Sequence, residues 1–332
     1  MNRPHIVIVT PTVANHTGAA THGNEQTAHR WQRMLQAGGY HVRVVHRWPD
    51  KFANQDDILL ALHARKSAGS IAAWHALHGG SRLVLALTGT DLYRDIQTDA
   101  SAQASLAMAS RLIVLQDRAP LALPAQHHAK AQVIFQSCEA YLQNPELDKP
   151  NLHLRAVMVG HLRTEKSPET LFAAAQLLGA DERIYIDHIG AALDAALGQS
   201  AQATAKAHAH YRWLGGMAHR RVQRSIGRAH VLVICSQMEG GAHVVMEAVR
   251  AGTPVLASRV DGNIGMLGED YAGYFDWNDA AGLAALLREC RETQGSANGL
   301  LASLGEQCAR RAPLFVPERE RARLLALVGA AL

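Results

Sequence analysis

Several things are missing from this chain, and each absence excludes something. No apolar run approaches the ~18 residues that a membrane-spanning helix requires, so no membrane span is expected. Residues 1–11 lack a basic region followed by a long apolar stretch, so no signal peptide is expected either. The four cysteines, Cys138, Cys235, Cys290 and Cys308, are far apart and lack metal-type spacing, which suits a reducing cytoplasm. There is no Gly-x-Gly-x-x-Gly, so the dinucleotide fingerprint is absent. Nor is there a lysine and arginine block interleaved with aromatics. A net charge of +4 and a pI of about 9.0 therefore point to an anionic surface or anionic small substrates more than to nucleic acid. Histidine is abundant at 19 residues, but it is scattered. The pairs His127-His128 and His208-x-His210 lie in polar, alanine-rich stretches. They are expected on solvated surface rather than around a metal.

What is present is a soluble globular composition, 48% apolar and 19% charged over 332 residues, a length that suits two domains. The chain is organised around residues 231–258, VLVICSQMEGGAHVVMEAVRAGTPVLAS. Residues 231–235 are a short β-branched apolar run, expected as a buried parallel strand. Residues 242–251 have helix-forming composition. Gly252 supplies a left-handed stop, Pro254 prevents continuation, and residues 255–257 return as a strand. Between strand and helix sit Glu239, Gly240 and Gly241. Glycines there let a ligand approach the backbone, and helix N-terminal amides attract anions. Glu239 and Glu247 have seven residues between them, and both are placed toward the crevice beyond the strand end.

Taken in order, residues 5–10 (HIVIVT) read as a strand. A loop with Gly18 and Gly23, a helix over about 25–36 and a strand over 42–45 follow. Those two glycines are either ordinary loop residues or ligand contacts. Residues 58–62 form a buried strand ending in His63, Ala64, Arg65, Lys66 and Ser67. Arg65 and Lys66, two cations before a helix, make either an anion site or a solvated pair. Residues 83–87 end in Thr88, Gly89, Thr90 and Asp91, where Asp91 either caps the next segment or faces a substrate. Strands over 112–115 and 132–135 complete a first parallel sheet, and residues 137–152 look like a linker. Residues 156–160 open the second half, followed by a loop with Arg163 and Lys166 and a helix from Pro168. Ser167 is expected to cap that helix and Pro168 to suit its first turn. The expected domains are residues 1–150, residues 151–312 and a C-terminal helix within 313–332.

The run from Ser236 through Glu239, Glu247, Gly252 and Pro254 to Val255 resembles the "Ser-x-x-Glu-Gly … Glu-Ala … Ala-Gly-x-Pro-Val" signature of two-domain GT-B glycosyltransferases. These belong to the large glycogen-synthase-like retaining group. The resemblance covers nearly the whole chain and implies two Rossmann-like α/β domains facing each other across a cleft. It implies that Glu239 contacts sugar hydroxyls and Glu247 the ribose. Gly240, Gly241 and the backbone near His243 would hold the sugar and the β-phosphate, with Gly18 on the donor side. It also implies that the C-terminal helix packs at the domain junction. The run from Gly160 to Lys166 resembles the family's "Gly-Arg-Leu-x-x-x-Lys" pyrophosphate site. His161 replaces the arginine, and Arg163 is the candidate for the missing charge. Leu87 to Asp91 resembles the family's "His-Gly-x-Asp", with Thr88 in the place of the histidine.

Three runs, 87–95, 159–166 and 238–243, are more narrowly similar to the selenosugar synthases of selenoneine biosynthesis. That likeness implies UDP-N-acetylglucosamine or UDP-glucose as donor and selenophosphate as acceptor, with a 1-seleno-sugar, UDP and phosphate as products. The candidate catalytic residues are then Arg163, Lys166, Thr88 and Asp91, and the acceptor-binding candidates are Asn24, Arg65, Lys66 and Thr90. No Asp-x-Asp pair is present to hold a divalent metal on a nucleotide sugar, so catalysis without a metal or cofactor is expected. A transferase with a hydroxyl acceptor and a non-catalytic UDP-sugar-binding protein are the alternatives. Nothing in the sequence fixes the oligomeric state.

Overall fold

The computed structural model describes residues 3–11, 23–140 and 151–331. By its contacts the chain divides into two units. The first is Met1–Ser137, Glu239–Gly241 and Pro317–Leu332; the second is Cys138–Met238 and Ala242–Val316. Along the first unit run β1 (His5–Val9), α1 (Gly23–Ala37), β2 (His41–Val45), β3 (Ile58–Leu62) and α2 (Ala68–His78). They are followed by β4 (Leu83–Ala86), α3 (Ile96–Thr98), α4 (Ala100–Met108), β5 (Arg111–Val114) and β6 (Ala131–Val133). A π-helical turn, Asp91–Asp95, lies between β4 and α3. The second unit begins with β7 (Leu154–Val159), α5 (Pro168–Leu177), β8 (Ile184–Ile189), α6 (Ala195–Ala207), β9 (Tyr211–Trp213) and α7 (His219–Arg228). It continues with β10 (Val231–Ile234), α8 (His243–Arg250), β11 (Val255–Ser258), α9 (Asp261–Leu267), β12 (Tyr274–Phe275), α10 (Ala280–Glu292) and α11 (Leu300–Arg311). The last helix, α12 (Pro317–Gly329), returns to the first unit.

Each unit holds one six-stranded sheet, ordered β2-β1-β3-β4-β5-β6 in the first and β12-β11-β10-β7-β8-β9 in the second. Every pairing is parallel. Parallel strands are buried on both faces, which is why they appear as continuous apolar runs rather than alternating ones. In the first unit Val7, Val9, Leu59 and Ala61 face a core with Trp48 and Trp74. Ile6, Ile8, Ile58, Leu60 and Leu62 face the opposite core with Trp31 and Leu35. The second sheet's order is the 3-2-1-4-5-6 arrangement of nucleotide-binding folds, with its switch point between β7 and β10.

By its contacts the C-terminal helix α12 is counted with the first unit. Leu324, Leu327 and Val328 enter the core beside Trp31 and Leu35. Glu320, fully buried, fixes it there. Its carboxylate accepts from Trp31 Nε1 at 2.6 Å, Arg30 Nε at 3.0 Å and Ser137 N at 2.8 Å.

Two expectations are corrected. Ser167 does not cap α5 through its side chain. Its backbone is left-handed, with φ of 43°. The hydroxyl instead accepts from Trp277 Nε1 at 3.0 Å. His127 and His210 are buried rather than solvated. His210 Nε2 sits 2.8 Å from the Ala175 carbonyl, so it has a partner inside the second unit. The four cysteines are free thiols. Burial pushes the Cys290 thiol up to about 12. No helix among the described residues is long and apolar enough to cross a membrane.

Breaking a buried charge pair from one side costs ~3–5 kcal/mol, because the remaining group keeps its desolvation penalty. Glu320→Ala is expected to lower stability by about that amount in urea unfolding followed by tryptophan fluorescence. A loss below ~1 kcal/mol would show that α12 is held by its apolar face alone.

Candidate active site

In the second unit the loops after β7 and β10 meet at the switch point, where open α/β sheets bind ligands. Gly160 starts the first loop, and its N–H donates to Ile189 O at 2.9 Å. A Cβ at Gly160 would lie 3.6 Å from Lys166 Cγ and Cδ, so the aliphatic stem of Lys166 covers this glycine. Arg163 is exposed and Lys166 half-buried at either end of the turn Thr164–Lys166. Gln237 N donates to Glu165 O at 3.0 Å and ties the loop after β10 to the loop after β7. His161, which stands where the family has an arginine, accepts the Ala191 N–H on Nδ1 at 3.1 Å.

Helix α8 begins at His243, and the Val245 N–H donates to Ala242 O at 3.0 Å in its first turn. Gly252 adopts the expected left-handed conformation beyond it, with φ of 67°. Glu247 lies one turn into α8, and its Oε1 pairs with His219 Nε2 of α7 at 2.6 Å. The hydrogen bond to Glu247 raises the His219 pKa above its usual 6.5, against the opposing effect of burial. Two loops, one cation at each end of a turn and a helix N-terminus make this end of the sheet suited to a phosphorylated ligand.

In the first unit the loops after β3 and β4 lie side by side, since those strands pair. Asp91 is fully buried. Its carboxylate accepts Thr88 N at 2.8 Å, Gly89 N at 2.9 Å and Ala64 N at 2.9 Å. Asp91 thus holds both loops together through three backbone amides. Thr88 and Thr90 are half-buried above it. Arg65 is anchored through Nε to Asp95 at 2.9 Å, while Lys66 is exposed. Asn24 is half-buried in the first turn of α1. Gly18 lies outside the described residues.

Glu239, Gly240 and Gly241 are counted by contact with this first unit. Glu239 is buried. A Cβ at Gly240 would fall 2.3 Å from the Thr88 carbonyl oxygen, so only glycine fits there. Arg163, Lys166 and Glu247 thus lie toward the C-terminal edge of the second sheet, Arg65, Lys66, Thr88, Thr90 and Asp91 toward that of the first, and Glu239–Gly241 are counted with the first unit.

Three residues that sequence reasoning did not single out belong to these clusters. They are His63 and Asp95 in the first unit and His219 in the second. His63 heads the post-strand run that drew attention to Arg65 and Lys66, so the signal was adjacent. His219 carried none. Among the described residues no group of three His, Cys, Asp or Glu side chains is placed to hold a metal ion.

Residues 143–302 match the model of the family described as glycosyl transferases group 1. Across the whole chain the fold is similar to that of sucrose-phosphate synthase from Thermosynechococcus elongatus. That match has a TM-score of 0.77 at 16% identity and covers 99% of both chains. Anabaena HepE, solved with UDP and glucose, matches with a TM-score of 0.72 at 15% identity, over 99% of this chain and 100% of that one. A glycosyltransferase from Rickettsia africae matches with a TM-score of 0.74 at 12% identity, over 100% of this chain and 99% of that one. The chain therefore has the GT-B fold, two parallel-sheet α/β units like those of these structures, and its residues 143–302 resemble the glycosyl transferases group 1 family.

Proposed function

We propose that the chain transfers a glucosyl or N-acetylglucosaminyl group from its UDP-sugar to the selenium of selenophosphate. The observation that carries the donor half is the pair of loops tied by Gln237 and Glu165 at the switch point of the second sheet. They bring Lys166, Arg163 and the N-terminus of α8 to one edge. Departure of UDP builds negative charge on the β-phosphate, and fixed cations and amides stabilise that charge without reorganising. Glu247 is the ribose-binding carboxylate in this reading, and its Oε1 lies 2.6 Å from His219 Nε2. The match of residues 143–302 to the group 1 family and the likeness to HepE support a nucleotide-sugar donor.

The acceptor half rests on the first unit and on the narrower sequence resemblance. Thr88 takes the place of the family histidine, so the loop offers no imidazole at the usual position for a hydroxyl proton. Selenophosphate needs none, because its selenium is already a strong nucleophile. It needs its phosphoryl charge balanced, and Arg65 and Lys66 stand at the end of β3 for that purpose. The C1–Se bond forms as the bond from C1 to the UDP oxygen breaks. Water then cleaves Se–P and releases phosphate.

The test is UDP release from UDP-N-acetylglucosamine and UDP-glucose, with and without selenophosphate, in EDTA under anaerobic reducing conditions. Release dependent on selenophosphate, with a seleno-sugar mass, is expected, and Lys166→Ala is expected to lower kcat by ~10²–10³. Donor binding without release would remove selenophosphate and turn attention to hydroxyl acceptors. Strict dependence on added Mg²⁺ or Mn²⁺ would contradict metal-independent catalysis.

His219 supplies a pH test of the Glu247 pair. Because its folded pKa is raised from 6.5, the pair's stabilisation is complete below that value and is lost as pH rises through the raised one. The difference in urea midpoint between wild type and His219→Ala should therefore be larger at about pH 6 than at about pH 9. Equal differences would show that the pair adds nothing.

A further inference from the structure

The end of β3 holds an imidazole in an unusual setting. His63 has a left-handed backbone, with φ of 74°. Residues with a Cβ rarely adopt that conformation unless their surroundings fix it, and such positions cluster at functional sites. The surroundings here do fix it. The His63 N–H donates to Ala86 O at 2.9 Å, and the ring is only 2% exposed.

The ring's contacts define its tautomer. Lys66 N–H points at Nδ1 from 3.4 Å, so Nδ1 is an acceptor and carries no hydrogen. Nε2 lies 3.2 Å from Thr90 Oγ1. The charged groups that face the ring are Asp91 and Asp95, at 3.9 and 3.8 Å, with Lys66 and Arg65. Neither carboxylate is spare. Asp91 holds three backbone amides, and Asp95 holds Arg65 at 2.9 Å and Arg94 at 3.3 Å. Burial pushes the His63 pKa down, with Asp91 opposing. A neutral ring with its hydrogen on Nε2 therefore donates to Thr90 Oγ1. Having accepted that bond, the hydroxyl turns its own hydrogen away from His63.

We propose that His63 is a positioning residue for the acceptor: it fixes the Thr90 hydroxyl so that its hydrogen is donated to a phosphoryl oxygen, beside Arg65 held by Asp95. This rests on the functional reading above. Thr88 leaves the family histidine's position without an imidazole. His63 brings one to the same pair of loops from the neighbouring strand, and it acts through Thr90 rather than on substrate.

The test is a double-mutant cycle on the full chain, using UDP-N-acetylglucosamine and selenophosphate. His63→Ala should raise the acceptor KM at least tenfold and leave UDP affinity, measured by calorimetry, unchanged. His63→Gln, whose amide can donate to Thr90, should recover most of the loss. The combined His63→Ala and Thr90→Val variant should be no worse than Thr90→Val alone. Losses that multiply, or a His63→Ala variant with lower Tm but unchanged acceptor KM, would overturn the proposal.

Imidazole nitrogen NMR of the wild type, with His63→Gln to assign the signal, reads the tautomer even where His63→Ala fails to fold. A neutral Nε2–H ring at pH 7 is expected. A doubly protonated ring, or hydrogen on Nδ1, would overturn the proposal. Absence of turnover by wild type would instead refute the functional reading, while the NMR result would still decide the tautomer.

Discussion

Parallel pairing sets the terms for everything else in this molecule. A strand that pairs parallel to its predecessor must be reached by a crossover, and the crossovers lay helices on both sheet faces. Every strand in a unit then ends on the same edge, and the loops leaving that edge bring side chains and backbone amides together there. In the second unit this edge carries residues 160–166 and residues 235–238 after β10. In the first it carries His63 to Ser67 and Thr88 to Asp91. Residues far apart in the chain meet there because the strand order demands it.

Buried carboxylates give these edges their shape. Asp91 collects the amides of Thr88, Gly89 and Ala64, which would otherwise be left without partners when the loops pack. Asp95 anchors Arg65 from below. Glu320 does the equivalent work far from the edge, tying α12 to α1 and to Ser137. In each case an acidic side chain is spent on holding a backbone or a cation. Few-partnered cations such as Arg163 and Lys66 are left at the surface, where an anion can reach them. The proposed chemistry follows the same division: carboxylates position, while cations and amides meet phosphate.

The sheets were legible because their strands are unbroken apolar runs. Residues 58–62 and 231–234 show it most clearly, and both are buried along their whole length. The stop at Gly252 and Pro254 was legible too, since only a residue without a Cβ takes φ of 67° comfortably. Helices α6 and α11 were not, because alanine-rich and mixed segments have weak periodicity. Asp194 before α6, whose side chain accepts from Ala196 N and Leu197 N, was the cap signal to use. Ser167 misled because its left-handed backbone turns the hydroxyl away from the helix. Thr90, the hydroxyl beside His63, and the partners of Glu320 lie tens to hundreds of residues away in the chain, and no local pattern announces such contacts.

The central claim is that a uridine nucleotide sits on the C-terminal edge of the second sheet. Hydrogen–deuterium exchange of the full chain with and without saturating UDP tests it without reference to any acceptor. The account predicts slower exchange in residues 160–166 and at the start of α8, with the strands beneath unchanged. Uniform exchange at those loops in a sample that binds UDP would place the nucleotide elsewhere and contradict the account.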